Sequence, residues 1–257
     1  FILLFMLVGI LAGGAWAAIP GTLKAVTGAH EVITTIMMNF IAYYGINYLV
    51  RPSPASFAVP ATLHTVRIPE SLRMPRLSEY IKPLEGSQVN GALVIALLAA
   101  LAVYILLWHT RLGFEMRAVG QNPTAARLAG ISPGKIIIIS MFLSGGLASL
   151  VGVDFVLGLK GYFEENFSAG AGFIGIAVAL LANNHPIGVI FTAFLFGVLN
   201  YGKVAAGDIP KDIIDIIQAA IIFSMILGTR IFNRMAIRLR KRAQQVAQQR
   251  QEADAAA

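Results

Sequence analysis

Long apolar runs recur along this chain, and they constrain its fold more than any other feature. A helix needs roughly 20 residues, at about 1.5 Å each, to cross the hydrocarbon core of a bilayer. The runs predict an all-α fold, a polytopic transmembrane helical bundle with about seven spans in which 1–257 is a single domain. The predicted spans are 1–19, 32–50, 92–108, 136–159, 173–183, 187–201 and 213–231.

The composition supports a membrane environment. Of the 257 residues, 57% are hydrophobic and 13% are charged, against roughly 45–50% and about 25% in soluble domains. The sequence contains no cysteine, which excludes thiolate metal sites and cysteine nucleophiles, and its histidines lack metal-binding spacing. We therefore expect no metal site and no catalytic residue in this chain.

The first predicted span and the short span 173–183 differ from the others. The chain begins inside an apolar run, with no basic region before it, so we expect a fragment whose N-terminal spans are missing. The first run is predicted to stop at Pro20-Gly21. The short span 173–183 is interpreted as a half-length or tilted helix, which transporters tolerate where backbone lines a cavity.

Lysine and arginine outside the apolar runs predict the orientation, because cytoplasmic segments are enriched in them. The basic tail 232–257 is predicted to be cytoplasmic, and counting back through the spans puts the 109–135 loop on the same side and 51–90 outside. The net charge of +7 is then a topology signal. It needs no nucleic acid as a partner, since a basic stripe for DNA would require a soluble fold.

The extracytoplasmic segment 51–90 contains six prolines. This composition predicts a loop with one or two short helices on the membrane surface. Two interpretations stay open: a plain connector, or a docking surface for an extracytoplasmic partner.

A polar stripe runs along the second predicted span. Residues four apart share one helix face, and polar groups are costly in hydrocarbon, so the stripe predicts a face turned to the bundle interior. It serves either a solute path or interhelical hydrogen bonds. The stripe residues are Glu31, Thr35, Asn39, Tyr43 and Asn47, and weaker candidates elsewhere are Asp154, Asp212, Asp215 and Gln218.

The 109–135 loop contains a short helix with its own start and stop signals. Asn122 can cap the helix, Pro123 suits its first turn and Gly130 suits its end. A helix this short is not stable alone. It therefore predicts docking against a partner's groove, with a plain connecting loop as the alternative.

Three separated stretches carry a resemblance to a known family. They read GFEMRAVGQNPTAARLAGI over 113–131, EVITTIMMNFIA over 31–42 and FIGIAVALLANNHPIGVIFTAFLFG over 173–197. These stretches resemble permeases of ATP-binding-cassette (ABC) importers in the branched-chain amino acid/ribose permease family, in its nucleoside and simple-sugar branch. The resemblance covers essentially the whole chain, and family members have more spans than are predicted here.

The resemblance implies that 122–131 is a coupling helix that inserts into a groove of a separate ABC ATPase subunit. ATP and magnesium would bind that ATPase, so this chain would be no enzyme and would need no cofactor of its own. The other implied partners are a second permease subunit in a heterodimer, an extracytoplasmic substrate-binding lipoprotein and the lipid of a prokaryotic plasma membrane. The residues implied to couple are Glu115, Arg117, Gly120, Asn122, Ala125, Ala126, Arg127 and Gly130.

The resulting hypothesis is a permease subunit for nucleosides, with ATPase closure coupled to alternating access. The tyrosine and amides on the 31–47 face suit a base and a ribose, but a sugar permease of the ribose or galactose type uses the same groups and stays an alternative. A secondary transporter would need a coupling-ion site, and the ionisable residues in the predicted spans are few. A membrane enzyme would need a catalytic constellation, which the sequence does not contain.

Overall fold

The computed structural model describes residues 1–50, 59, 62, 64–77, 87–164, 167–168 and 170–205, with isolated positions between 213 and 228. Across these residues the regular structure is helical, apart from two isolated β-bridges, which confirms the all-α prediction. The tail 232–257 and the candidates Asp212, Asp215 and Gln218 lie outside the described residues, as does most of the predicted span 213–231.

Apart from the first, the helices follow the predicted apolar runs closely. Four of the described helices, Ile2–Thr27, Glu31–Val50, Ala92–His109 and Pro133–Lys160, are long and apolar enough to cross a membrane, and Ala171–Leu181 and Pro186–Gly202 are shorter apolar helices. In chain order the helices are α1 Ile2–Thr27, α2 Glu31–Val50, α3 Ala92–His109, α4 Arg111–Gln121, α5 Pro123–Leu128, α6 Pro133–Val153, α7 Ala171–Leu181 and α8 Pro186–Ala205; α6 continues as a π-helix over Asp154–Lys160, and Glu70–Leu72 forms a 3₁₀ turn.

The chain divides into two compact units, Phe1–Ala169 and Gly170–Ala257. In the first unit, α1 packs against α6 through small residues: a Cβ added to Gly13 would lie 2.7 Å from the Gly145 carbonyl oxygen. Small residues permit such close approach between membrane helices. The two helices run antiparallel, since Gly9 of α1 faces Ser149 of α6 and Gly134 of α6 faces Ala25 of α1. The end of α1 therefore lies beside the start of α6.

The predicted stop of the first span at Pro20-Gly21 is wrong. Helix α1 continues to Thr27 and ends at Gly28, which adopts a left-handed conformation with φ +72°. Proline removes one backbone hydrogen bond from a helix, but Pro20 and Gly21 are buried, and a Cβ on Gly21 would lie 3.0 Å from that of Met141 in α6. Packing against α6 holds the helix together through the proline.

In the second unit, α7 and α8 form a helical hairpin. Asn183 and Asn184 take left-handed backbone angles, with φ of 51° and 57°, and asparagine tolerates this conformation better than most residues. The Thr192 hydroxyl of α8 donates to the Val178 carbonyl of α7 at 3.1 Å. Helix α7 has 11 residues, in agreement with the half-length span predicted there.

Candidate functional site

Helix α4 leaves α3 through a sharp corner at Thr110. Its hydroxyl accepts a hydrogen bond from the Gly113 amide at 3.1 Å and donates one to the Leu106 carbonyl at 2.6 Å. Gly113 lies so close to α3 that an added Cβ would be 2.6 Å from the Leu107 Cα. Sequence reasoning missed this corner as a site. The available signal was a threonine three residues before a glycine at the end of an apolar run.

Helix α5 is fixed at both ends, as its sequence signals predict. The Asn122 side-chain oxygen accepts from the amides of Thr124 at 3.0 Å and Ala125 at 3.1 Å. At the other end Gly130 is left-handed with φ +82°, and the Ile131 amide donates to the Ala126 carbonyl at 3.0 Å. These bonds satisfy backbone groups that a short helix leaves unpaired.

The two faces of α5 differ. Ala126 is only 4% exposed and packs in a cluster with Val119 of α4 and Ile136 of α6. Ala125 and Arg127 are exposed, and Leu128 is 86% exposed. The structure therefore uses Ala126 in the chain's own core, while the outward face presents an arginine beside a leucine that the sequence analysis did not select.

The remaining predicted residues of this end lie on α4. Glu115 accepts from the Arg111 guanidinium at 3.2 Å, in an ion pair one helical turn apart. The Arg117 guanidinium lies 5.7 Å from the ring centre of Trp108. Gly120 is exposed, and a Cβ added there would meet nothing within 4 Å. We call this region, from Arg111 to Ile131, the α5 end.

The polar stripe of α2 does not form a uniformly buried face. Glu31 pairs with Lys24 of α1, with 2.5 Å between the Lys24 Nζ and a carboxylate oxygen, and the Thr35 hydroxyl donates to the Glu31 carbonyl at 2.8 Å. Asn39 and Tyr43 are exposed. Asn47 is 5% exposed, and its side-chain nitrogen has no hydrogen-bond partner within the described part of the chain.

A polar pair lies where the start of α3 meets the end of α6, away from α5. The side-chain nitrogen of Asn90 donates to the Asp154 Oδ1 at 2.9 Å, and the side-chain oxygen of Asn90 accepts from the backbone amide of Ala92 at 2.8 Å. Beside this pair opens a cavity of about 560 Å³ between α3 and α6. We call this region the cavity end. Asp154 was a weaker candidate in the sequence, and Asn90 was not a candidate.

Part of the 51–90 segment packs across the cavity end. The Met74 amide donates to the Leu157 carbonyl at 2.9 Å, and the Ile68 amide donates to the Gly161 carbonyl at 2.7 Å. Tyr162 is flanked by the His64 ring at 4.6 Å between centres and by the Arg67 guanidinium at 5.3 Å. The described residues of this segment therefore contact their own chain extensively.

The described residues contain no cluster of three or more histidine or acidic side chains that could hold a metal ion. What they do contain is a set of membrane-spanning helices with a rigidly capped short helix at one end and a cavity at the other. These features define a multi-pass α-helical membrane protein. The family model for the branched-chain amino acid transport system, permease component, matches residues 1–226. The chain belongs to this family of transport permeases.

Curated relatives carry the same assignment. The chain is 36% identical to the nucleoside ABC transporter permease protein NupB of Lactococcus lactis over 86% of its length and 62% of that protein. It is 38% identical to the guanosine ABC transporter permease protein NupP of Bacillus subtilis, over 85% of the chain and 63% of the relative. It is 33% identical to the glucose ABC transporter permease protein TsgB13 of Haloferax volcanii, over 87% of the chain and 60% of the relative.

The chain thus spans about three fifths of the length of these relatives. No solved structure matches the chain significantly.

Proposed function

We propose that this chain acts as a permease subunit of an ABC importer for nucleosides, and that the outward face of α5 receives the motion of a separate ATPase subunit. The single observation that carries the proposal is the build of α5. A short helix capped at both ends and backed by Val119 and Ile136 still presents Leu128 at 86% exposure. Water-exposed leucine gains about 1.5–3 kcal/mol when it is buried, which favours an apolar groove in a partner.

Arg127 gives this face its second property. It lies beside Leu128 and is exposed, so it is free to form charge-assisted hydrogen bonds with carboxylates at the rim of such a groove. Arginine is among the residues that are enriched at the hot spots of protein interfaces. The matching ATPase surface would be an apolar groove with an acidic edge.

The connection from α5 to the membrane helices supports a coupling role. Ala126 packs on Ile136 in the first turn of α6, and α6 runs from there to Asp154 at the cavity end. A displacement of α5 by ATPase closure would therefore be passed directly to α6. Work would come from the difference in ATPase binding between the two states of the bundle.

The topology and partners follow from the same proposal. The 109–135 segment and the 232–257 tail would be cytoplasmic, and 51–90 would face outward in a prokaryotic plasma membrane. ATP and magnesium would bind the ATPase. A second permease subunit, an extracytoplasmic binding lipoprotein and membrane lipid would complete the assembly, with no nucleic acid involved.

Nucleosides are the first candidate substrates, because relatives named for nucleoside and guanosine transport are 36% and 38% identical to the chain. A sugar is the second candidate, because a relative named for glucose transport is 33% identical. A secondary transporter would have to work without an ATPase.

ATP-dependent uptake into membrane vesicles that contain the complete transporter tests the proposal. We expect guanosine uptake, and we expect Ala125→Trp to abolish it while the protein stays in the membrane. The matched control is Val26→Trp, since Val26 is 77% exposed at the same end of the α1–α6 pair but not on α5. Normal uptake by Ala125→Trp would contradict the coupling role, and uptake of glucose instead of guanosine would select the sugar alternative.

A further inference from the structure

We propose that the cavity between α3 and α6 is a nucleoside-binding site on the transport path, with Asp154 as the acceptor for the ribose hydroxyls. This inference rests on the proposed function. It assigns the substrate to a different part of the chain from the α2 stripe that the sequence predicts.

The shape of the cavity suits a ligand with one apolar and one polar part. Its volume of about 560 Å³ falls within the range of roughly 300–1,000 Å³ that is usual for small-molecule sites, which combine apolar walls with a few polar groups. The polar groups are Gln88, Asn90 and Asp154, and the facing walls are Leu93, Ala96 and Ala99 from α3 and Leu147, Leu150 and Val151 from α6.

The cavity extends along both helices rather than lying only at their ends. Ala99 lies seven residues beyond Ala92, the first residue of α3, which corresponds to about 10 Å along the helix axis. The cavity therefore reaches from the far ends of the two helices toward their middle. A solute bound there would be in contact with α6, the helix that begins beside α5.

The backbone around Asp154 departs from a regular α-helix. Asp154 opens the π-helical segment that ends at Lys160, and π-helical turns frequently occur at functional sites. Within that segment, a Cβ added to Gly158 would lie 2.7 Å from the Asp154 Oδ1 and would also meet the Asn90 amide. The π-helical turn and its glycine together bring backbone against the Asn90–Asp154 pair.

The partner of Asp154 distinguishes it from three other acidic residues in the described part of the chain. Glu31, Glu115 and Glu164 each pair with a lysine or arginine. Asp154 instead accepts from the neutral amide of Asn90, through Oδ1 alone. A carboxylate in a membrane span is costly and usually functional, and Asn90 already caps α3 through its own oxygen. The second carboxylate oxygen, Oδ2, is outside that hydrogen bond.

The chemistry of the cavity end fits a nucleoside. An ionised carboxylate only accepts hydrogen bonds, so it selects a ligand that donates, such as a ribose with adjacent hydroxyls. The flat base would pack on the leucine, valine and alanine walls. A sugar would satisfy the carboxylate but would leave those walls without an apolar partner.

Cysteine labelling in the complete transporter tests this site, because the chain has no cysteine of its own. Ala96→Cys introduces a thiol into the cavity wall, and Val66→Cys is the control, exposed in the 51–90 segment at the same end of the helices but outside the cavity lining. We expect guanosine to slow maleimide labelling of Ala96→Cys and not of Val66→Cys. Labelling of Ala96→Cys that is blocked without guanosine, or unaffected by it, would overturn the site.

The role of Asp154 needs a second comparison. Asp154→Asn keeps an oxygen for the Asn90 amide but removes the charge, so the guanosine concentration that protects Ala96→Cys should rise about tenfold or more. Protection by 2′,3′-dideoxyguanosine should be the same with and without Asp154→Asn. Glu164→Gln, which removes a carboxylate paired with Lys160 outside the cavity lining, should leave guanosine protection unchanged. A rise of equal size for both nucleosides would overturn the hydroxyl contact.

Uptake by the same vesicles separates the two levels of the argument. ATP-dependent guanosine uptake without protection at Ala96→Cys would overturn the cavity site and leave the proposed function standing. Absence of uptake in the parent transporter would overturn the proposed function itself.

Discussion

The α5 end and the cavity end of the first unit are built from different kinds of contact. At the α5 end, the capping bonds join residues two and three positions apart, such as Asn122 to Thr124 and Ala125. At the cavity end, Asn90 binds Asp154 across 64 positions, and Phe163 binds Thr65 across 98. A locally built end keeps its shape when the bundle moves, whereas an end built from distant segments changes when those segments separate.

The largest effect expected at the α5 end concerns its corner with α3. Gly113→Ala should destabilise the protein by about 1–3 kcal/mol, because the new Cβ would overlap backbone atoms of Leu106 and Leu107. Gly120→Ala is the matched control: nothing lies within 4 Å of its added Cβ, and alanine should stabilise the helix by about 0.5–1 kcal/mol.

Thermal unfolding of the purified protein in detergent measures this difference. A midpoint that falls for Gly113→Ala and does not fall for Gly120→Ala is expected. Equal midpoints would show that the corner does not hold α4 in place.

At the cavity end, Asn90→Ala should have the next largest effect and should lower the free energy of unfolding by about 2 kcal/mol. The substitution removes the acceptor for the Ala92 amide and the donor to Asp154 together, and buried partners left unpaired cost free energy. Gln88 lines the same cavity but is exposed, so the unfolding midpoint of Gln88→Ala should equal that of the parent protein. A stable Asn90→Ala variant would mean that the long-range pair does not hold this end together.

Loss of the cap on α5 should have a smaller effect. Asn122→Ala removes two hydrogen bonds at the start of the helix, and such substitutions cost about 1 kcal/mol. We expect guanosine uptake to slow severalfold while the unfolding midpoint changes little. Ser132→Ala provides the comparison, because the Ser132 side chain makes no capping bond at the start of α6; a larger defect there would remove the special role of α5.

The smallest effect is expected on α2, between the two ends. Asn39→Ala should change the KM or the rate of uptake by a few-fold, because its amide is exposed on the polar stripe of α2. Thr35→Ala should change neither, since that hydroxyl already bonds to its own helix. Unchanged kinetics for Asn39→Ala would leave the stripe with a packing role.

The α5 end could be predicted because its signals are local. Asn122, Pro123 and Gly130 act on backbone groups within a few residues, so their spacing alone determines where the helix begins and ends. The burial of Ala126 could not be predicted in the same way. It depends on how α5 rotates against α4 and α6, and a short helix has too little periodicity to define its inner face.

The cavity end could not be predicted because its contacts depend on helix register. Asn90 and Asp154 meet only when α3 and α6 are aligned along their axes, and neither residue's sequence neighbours carry that information. Pro20 is a related case. Proline in isolation predicts a helix end, and only the contact of Gly21 with Met141 across to α6 explains why α1 continues.

Contact between α5 and an ATPase is the central claim, and a single-cysteine cross-link tests it most directly. Leu128→Cys and Val26→Cys place a thiol at two exposed aliphatic positions at the same end of the α1–α6 pair, in a chain that otherwise has no cysteine. In vesicles with the complete transporter, a short bifunctional thiol reagent should join Leu128→Cys to the ATPase subunit and leave Val26→Cys unlinked. Equal cross-linking of both positions, or none at Leu128→Cys, would contradict the account.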